Sequence, residues 1–243
     1  MQHRKGVVLA GGTGTRLHPY TYAINKHLLP VFDRPMVAYP IQTLRDLGVS
    51  RICVVTGDEH LPDFRAVLGS GGRFGVSLTF RGQKAPQGVA HALLQSEGFF
   101  QGQKVVAVLG DDVFDKVQLA SEAFVDDNAY AFVTKATDEA NLAVAEIEPS
   151  GQIIRIEQKS PRSRSNMMVV GLYVYPPDVF DVIRGIRPSS RGELEISTVS
   201  DWYVQHGRMK SVITDAFVAD AGTEDGFKRA TLFSARKSGL LKG

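Results

Sequence analysis

The stretch KGVVLAGGTGTRLHPYTYAINKHLLPVFDRPM, residues 5–36, contains the features around which the rest of the chain is built. It begins with an apolar run at 7–9 that is rich in β-branched residues and predicts a buried strand. Residues 10–15, AGGTGT, have little side-chain bulk, so their backbone N–H groups can turn towards one anion. Arg16 and Lys26 add two cations nearby. A strand, a glycine-rich turn and two cations indicate a polyphosphate site.

The spacing of these glycines excludes two widespread phosphate-binding loops. A P-loop needs Gly-Lys-Ser or Gly-Lys-Thr after its glycines, and no such tripeptide follows here. The dinucleotide fingerprint G-x-G-x-x-G, started at Gly12, needs a glycine at position 17, which is Leu17. The dehydrogenase class is thereby excluded. A tight turn whose glycines only relieve steric crowding stays open as the alternative.

The composition is that of an ordinary globular protein. Of the 243 residues, 43% are hydrophobic and 22% are charged, and the net charge of +2 argues against non-specific nucleic-acid binding. The only cysteine, Cys53, lies in an apolar run and is interpreted as a small buried hydrophobe. No apolar segment has the ~20 residues of a membrane helix, and no signal peptide is recognised. We therefore expect a cytoplasmic location without membrane contact.

Strand and helix patterns alternate along the first half of the chain. The predicted strands are 7–9, 52–56, 76–80, 104–109 and 130–134, and the predicted helices are 36–47, 61–68, 89–98 and 119–125. Strands separated by helices of about ten residues imply βαβ units. The predicted fold class is therefore α/β, with a doubly wound, mostly parallel sheet.

The second half has a different pattern. Alternating segments at 143–148 and 152–159, joined by Pro149-Ser150-Gly151, predict a β-hairpin. Further elements are expected as strands at 167–175 and 209–214, a helix at 194–205 and a terminal helix from Glu224. These elements predict extra antiparallel structure laid over the mouth of the main sheet. We expect one domain over 1–243, with a core at 1–135 and a second part at 136–243.

Two aspartates follow predicted strands and stand beside glycines. Asp111 follows the strand at 104–109, and Asp220 follows a strand-like segment and precedes Gly222. Ligands of open α/β sheets bind beyond the carboxyl ends of the strands, and Mg²⁺ prefers a few carboxylates together with phosphate oxygens and water. Both aspartates are therefore candidate Mg²⁺ ligands, although an aspartate that only caps a turn is the alternative.

The segments L-A-G-G-T-G-T-R-L-x-P and K-x-L-L-P-V-x-D-R-P-M resemble the signature of the sugar-phosphate nucleotidylyltransferases, and the likeness extends to about residue 230. The resemblance implies a Rossmann-like nucleotidyltransferase fold with a small antiparallel sugar-binding subdomain. It also implies Mg²⁺-dependent nucleotidyl transfer from an NTP, dTTP or UTP first, to a sugar 1-phosphate with release of pyrophosphate. Glucose 1-phosphate is the default acceptor. Alternatives are another hexose or heptose 1-phosphate, another NTP such as GTP, or a non-catalytic nucleotide-sugar sensor.

The resemblance assigns roles to individual residues. Arg16 and Lys26 are the expected catalytic residues, and Asp111 and Asp220 match the metal-binding aspartates of the family's L-G-D and D-x-G-T motifs. The expected nucleotide-binding residues are Leu9, Ala10, Gly11, Gly12, Thr13, Gly14, Thr15, Gln83, Gly88 and Asp111. The expected sugar-phosphate-binding residues are Gln158, Lys159, Gly171 and Arg191. A sensor would have no use for all four of the catalytic and metal-binding side chains.

The residues expected to bind the base follow the family pattern, and the residues expected to bind the sugar depart from it. Gln83 offers a donor and an acceptor to a pyrimidine edge, and Gly88 would let its backbone approach the base. Where the family has a Tyr-Gly pair and a sugar-binding glutamate, this chain has Leu142, Ala143 and Gln158. We therefore expect an altered sugar specificity.

The C-terminal limit of the resemblance leads to two further expectations. Relatives of this type usually continue through further helices that help to build an effector site. The apolar face of the terminal helix, which includes Phe227 and Ala230, is too small for such a site. We expect no feedback inhibition there, and either a monomer or a homodimer.

Overall fold

The structure is a computed structural model, and it describes residues 4–136, 143–158, 160 and 163–241. Its strands are β1 Arg4–Leu9, β2 Pro30–Val31, β3 Arg34–Pro35, β4 Val49–Gly57, β5 Ser77–Gln83, β6 Val105–Leu109, β7 Asp112–Phe114, β8 Ala129–Lys135, β9 Ala143–Ile147, β10 Ile153–Gln158, β11 Met167–Tyr175, β12 Met209–Ile213 and β13 Val218–Asp220. Its α-helices are α1 Ala38–Asp46, α2 Leu61–Leu68, α3 Val89–Leu94, α4 Glu97–Phe100, α5 Val179–Gly185, α6 Ile196–Gln205 and α7 Glu224–Lys237.

The chain divides into two compact units. The first comprises Met1–Pro86, Val108–Val117 and Phe217–Gly243, and the second comprises Gln87–Ala107 and Gln118–Ala216. The expected single domain with a boundary near residue 135 stays a prediction.

The first unit contains parallel strands that end at a common edge. β4 pairs in parallel with β1 on one side and with β5 on the other. Helix α1 packs closely on this sheet, since a Cβ on Gly6 would lie 3.0 Å from Leu44 Cδ1. The carboxyl ends of the three strands, Leu9, Gly57 and Gln83, carry the loops that follow them. A ligand of such a sheet is expected at this edge.

A second, smaller pairing in the same unit joins two distant parts of the chain. β7 and β13 pair antiparallel, with Asp112 opposite Asp220. Their apolar residues join those of α7 and of the segment after the glycine loop in one buried cluster, whose members are Leu17, Val31, Met36, Val113, Ala219, Ala221 and Ala230. Burial of this cluster holds the middle of α7, at Ala230, against the pair of strands β7 and β13.

The second unit is built on the long strand β11. β8 pairs antiparallel with β11 and parallel with β12, while β9 and β10 form an antiparallel hairpin. Helix α6 is fixed by buried aromatic contacts, with the rings of Tyr175 and Tyr203 5.7 Å apart. The Tyr175 hydroxyl also lies 3.1 Å from Ser200 Oγ.

The predicted fold class, mixed α/β with a mostly parallel sheet and small antiparallel additions, is confirmed. Several elements differ from the prediction in detail. The helix predicted at 89–98 is interrupted: α3 ends at Leu94 and α4 begins at Glu97, and Ser96 between them donates its hydroxyl to Leu93 O at 2.7 Å. Residues 119–125 contain only the 3₁₀-helix Ser121–Phe124. Helix α5 was not predicted, since it has seven residues and follows a Pro-Pro pair.

Among the described residues, no helix has both the length and the apolar composition needed to cross a membrane.

Candidate active site

The loop after β1 adopts a conformation that requires glycine at two positions. Gly12 and Gly14 have φ values of +99° and +70°, which residues with a side chain rarely adopt. A Cβ on Gly14 would also lie 3.2 Å from Lys26 Cβ and 3.1 Å from Thr21 Cγ2. The Thr21 hydroxyl donates to Gly14 O at 2.8 Å and so holds the loop against residues 21–26. The glycines therefore allow the loop and Lys26 to lie side by side.

Two cations and two carboxylates from distant parts of the first unit form one charged cluster. Lys26 Nζ lies 2.5 Å from Asp111 Oδ2, and Arg16 Nη1 lies 3.0 Å from Asp220 Oδ2. Arg16 Nη2 is also 3.9 Å from Asp111 Oδ2. The structure thus brings together the four side chains that the sequence singled out for catalysis and metal binding.

The cluster has a buried half and an open half. The side chains of Lys26 and Asp111 are only 11% and 10% exposed, whereas those of Arg16 and Asp220 are 58% and 44% exposed. Burial alone would raise the pKa of Asp111, but the charge and hydrogen bond of Lys26 lower this pKa to about 2. Burial and the charge of Asp111 raise the pKa of Asp220, against the opposing effect of Arg16. The repulsion between the carboxylates is therefore only partly neutralised by the two cations.

The carboxylates form a group that suits a hard divalent cation. Asp111, Asp112 and Asp220 each present one oxygen, and these atoms lie within 4.8 Å of one another. A Cβ on Gly222 would lie 2.3 Å from Asp111 Oδ2 and 2.9 Å from Asp220 Oδ1, so glycine leaves space beside both carboxylates. A donor set made of carboxylate oxygens fits Mg²⁺. Asp112 was not predicted as a ligand, and its only signal in the sequence is its place next to Asp111.

Backbone contacts position Asp220 at the end of β13, just before α7. Ala221 N donates to Asp111 O at 2.9 Å, which ties together the two loops that carry the carboxylates. The Thr223 hydroxyl donates to Asp220 O at 2.9 Å and accepts from Gly226 N at 3.1 Å, as an N-cap does. A Cβ on Gly226 would lie only 1.9 Å from Asp220 O. The segment DAGTEDG therefore fixes the direction of the Asp220 side chain.

A buried histidine next to Lys26 was missed by the sequence analysis. His27 Nδ1 lies 2.9 Å from Asn25 Oδ1, which also accepts from His27 N at 3.0 Å. Burial and the adjacent Lys26 charge lower the pKa of His27 to about 3, so the ring is neutral at pH 7. A Cβ on Gly110 would lie 2.7 Å from His27 Cδ2. His27 thus packs beside the strand end that carries Asp111.

The two expected base-reading residues lie in different units. Gln83 is buried at the end of β5, and a Cβ on Gly11 would lie 3.0 Å from its Oε1. Gly88 has a φ of +102°, and a Cβ there would lie 2.4 Å from Leu194 O. The structure therefore explains Gly88 by its contact with the Leu194 backbone. Base binding by either residue stays a prediction.

The expected sugar-phosphate residues lie in the second unit. Gln158 is exposed at the end of β10, and Gly171 is buried in β11 where the register with β8 shifts. Arg191 Nη2 donates to Glu195 Oε1 at 2.8 Å and lies 3.6 Å from Glu193 Oε2. Lys159 and Leu142 lie outside the described residues. The sugar-phosphate roles stay predictions.

A cleft of about 510 Å³ borders the glycine loop in the first unit. Gly12 and Thr13 form part of its wall, and the other lining residues are Thr21, Tyr22, Ala23, Ile24, Asn25, Leu28, His60, Asp63, Ala66 and Val67. None of the four charged residues of the cluster belongs to this lining. The glycine loop therefore contributes to the wall of the cleft, whereas the four charged side chains do not.

Comparison with known proteins places these features in a family. The family model described as nucleotidyl transferase matches residues 5–237. A glucose-1-phosphate thymidylyltransferase from Actinoplanes sp. is 37% identical over 224 residues, which cover 90% of this chain and 74% of the relative. The enzyme of the same name from Neisseria meningitidis is 35% identical over 235 residues, covering 94% of this chain and 82% of the relative.

A solved structure agrees with these relatives. A crystal structure of a Bacillus anthracis protein, assigned as a glucose-1-phosphate thymidylyltransferase and in complex with sucrose, has a TM-score of 0.86 and 37% identity. The alignment covers 95% of this chain and 94% of that chain. The family predicted from the glycine-loop motif is confirmed. Since the matched residues include the glycine loop, both cations and both carboxylates, the chain belongs to the nucleotidyl transferase family.

Proposed function

We propose that the protein transfers a nucleotidyl group from an NTP to a sugar 1-phosphate and releases pyrophosphate, as enzymes of the EC 2.7.7 type do. dTTP and UTP are the first candidate donors, and glucose 1-phosphate is the first candidate acceptor. The observation that supports this most is the cluster of Arg16, Lys26, Asp111 and Asp220 beside the glycine loop. The names of the similar enzymes support the choice of acceptor.

The reaction needs no nucleophile from the protein. A phosphate oxygen of the sugar 1-phosphate attacks the α-phosphorus of the NTP, and the bond from that phosphorus to the β-phosphate oxygen breaks. The electron pair leaves with pyrophosphate, and no proton has to move in this step. The barrier comes largely from bringing two anions together, so catalysis consists of positioning and charge neutralisation.

The cations of the cluster supply this neutralisation. We assign Lys26 to the α-phosphate and the attacking oxygen, because its stem packs against Gly14 of the glycine loop. Arg16 follows the loop and has an exposed guanidinium, which we assign to the leaving pyrophosphate. The backbone of residues 9–15 is proposed to hold the nucleotide.

We propose Mg²⁺ as the metal, held by Asp111 and Asp220, with Asp112 as a further candidate ligand. When bound there, the ion would supply positive charge to the triphosphate. Asp112 and Asp220 face each other in the ladder between β7 and β13, which keeps their backbones at a fixed separation. This ladder is therefore proposed as the rigid support of the metal site.

The remaining assignments concern the base and the acceptor. Gln83 and Gly88 are proposed to read the base, and Lys159 and Arg191 to hold the acceptor phosphate, with Gln158 and Gly171 at the sugar. Arg191 would have to share its guanidinium with the glutamates that hold it in this structure. We propose that the reaction takes place in the cytoplasm, where NTPs and sugar phosphates are made.

A different sugar 1-phosphate is the second candidate acceptor. Ala143 and Gln158 pair with each other across the hairpin of β9 and β10, so two of the three unusual residues are neighbours. The differences from the family pattern at these two positions would therefore affect the binding of the same substrate.

Pyrophosphate release across a matrix of NTPs and sugar 1-phosphates tests the proposed function. The proposal expects a Mg²⁺-dependent signal that requires both substrates, with dTTP or UTP as the best donor. Release without the sugar phosphate, or no release with any pair, would count against it.

A further inference from the structure

We propose that Lys26 and Arg16 compete with the metal for the carboxylates when no nucleotide is bound, so that a divalent cation binds tightly only together with a polyphosphate. This inference rests on the proposed function, because it concerns the same site. It adds a thermodynamic coupling between the metal and the phosphate chain.

The distances show that the cations occupy the oxygens that a metal would use. Asp111 Oδ2 contacts Lys26 Nζ at 2.5 Å and also faces the space left by Gly222. Asp220 Oδ2 accepts from Arg16 Nη1 at 3.0 Å, while Asp220 Oδ1 accepts from Gly222 N at 2.9 Å. A divalent ion entering alone would meet two positive groups already at its ligands and would be repelled by both.

The two cations should not contribute equally. Lys26 and Asp111 are almost completely buried, so their pair is only weakly screened by water. Removing Lys26 from Asp111 without a new partner would leave a buried ammonium uncompensated. The side chains of Arg16 and Asp220 are each more than two-fifths exposed, so the ion pair between them is expected to be weak. Lys26 is therefore the main competitor of the metal.

A polyphosphate removes this obstacle because it offers new partners to the same cations. The stem of Lys26 lies beside Gly14, since a Cβ on that glycine would be 3.2 Å from Lys26 Cβ. Rotation of the Lys26 side chain can therefore carry the ammonium from Asp111 towards an anion on the glycine loop without movement of the backbone. The carboxylate is then free for the metal. By linkage, the metal raises the affinity for polyphosphate by the same factor.

Mn²⁺ binding followed by electron paramagnetic resonance at pH 8 tests this competition without any reaction. Wild-type protein is expected to bind Mn²⁺ alone weakly, and Lys26→Gln, which keeps a donor but removes the charge, should bind it about tenfold more tightly. Lys26→Met provides a second variant in case one of them does not fold. Arg16→Ala should give a smaller gain. Arg45→Ala is the matched control, because Arg45 pairs with Asp46 on the surface, and it should leave the affinity unchanged.

A second measurement uses inorganic tripolyphosphate, which has no base and no sugar. Calorimetry should show that wild-type protein binds the Mn²⁺ complex of tripolyphosphate about tenfold more tightly than metal-free tripolyphosphate with EDTA present. This difference should shrink in Lys26→Gln. Wild-type protein that binds Mn²⁺ alone as tightly as both Lys26 variants would overturn the inference. If such a protein still released pyrophosphate with both substrates, only this inference would fail and the proposed function would stand.

Discussion

Of the two cations of the cluster, Lys26 is the more buried. Its stem is confined by the glycine loop, its ammonium contacts Asp111, and its neighbour His27 is buried. Once the ammonium has moved from Asp111 to the phosphate chain, the confined stem leaves little further reorganisation when charge develops on a phosphate, which is what makes preorganised groups effective in catalysis.

Replacing either cation should therefore reduce turnover strongly. Lys26→Ala and Arg16→Ala are each expected to lower kcat by a factor of ~10²–10³, the range for loss of one preorganised charge-stabilising group. Steady-state kinetics with both substrates saturating would measure the loss, with Arg45→Ala as a control of equal charge change. Turnover close to that of the wild type would show that the assigned role is wrong.

His27 should make the stability of the protein depend on pH. The pKa of its ring is about 3 in the folded protein, against about 6.5 in an unfolded chain. Between these two pH values, only the unfolded state binds a proton at this ring. Its contribution to stability is complete above about pH 6.5 and declines as the pH falls, by up to about 1.4 kcal/mol per pH unit.

Urea unfolding of the wild type and of His27→Asn at pH 7, 5.5 and 4.5 would measure this effect. The wild type should lose stability relative to the variant as the pH falls, because asparagine cannot take up the proton. Parallel pH profiles of the two proteins would contradict the neutral, buried histidine.

At the scale of elements, the turn between β13 and α7 controls the space beside the carboxylates. Gly222→Ala should raise the Mg²⁺ concentration for half-maximal activity about tenfold or more, because the new methyl would collide with Asp111 and Asp220. Gly98→Ala in α4 is a suitable control, since its Cβ would meet no atom within 4 Å. An unchanged Mg²⁺ requirement in Gly222→Ala would argue against a metal at this position.

The start of α3 depends on a different glycine. Gly88→Ala should destabilise the protein by about 1–3 kcal/mol, because Gly88 has a positive φ and its Cβ would collide with Leu194 O. Chemical denaturation without nucleotide would measure this loss. If Gly88→Ala were as stable as the wild type and lost only nucleotide affinity, contact with the base, and not the backbone conformation, would be the reason why position 88 needs glycine.

The elements that could be predicted are those with strong periodic patterns. Helix α2 and strand β11 have the predicted bounds, because each follows a clear apolar pattern between turn residues. β7 and β13 have only three residues each, and their pairing is fixed by contacts between distant parts of the chain. The sequence could thus indicate Asp111 and Asp220 separately, but the ladder and Asp112 needed the structure.

At the scale of the whole molecule, the sequence singled out the four residues of the charged cluster but not the way in which they pair. The motif that includes Arg16 and Lys26 is one continuous stretch of sequence, so it can be recognised without a structure. The contact between Lys26 and Asp111 joins residues that are 85 positions apart in the sequence, and the contact between Arg16 and Asp220 joins residues that are 204 positions apart. Only the structure shows them as pairs. The neutral state of His27 likewise depends on burial, which no local pattern indicated.

The acceptor preference is expected to differ from the family pattern, because the unusual residues Ala143 and Gln158 are paired in one hairpin. A site built to hydrogen-bond a hydroxyl loses discrimination when that partner is missing. Comparison of kcat/KM for glucose 1-phosphate with other hexose and heptose 1-phosphates would decide. A wide margin in favour of glucose 1-phosphate would contradict this expectation.

The charged cluster beside the glycine loop is proposed to perform the nucleotidyl transfer. The most direct test quantifies pyrophosphate and nucleotide-sugar by mass spectrometry in one reaction, for the wild type and for Asp111→Asn. With Mg²⁺ and the best substrate pair, we predict equal amounts of both products from the wild type and a loss of at least ~10²-fold in the folded variant. Equal turnover by Asp111→Asn, or pyrophosphate without nucleotide-sugar, would contradict the claim.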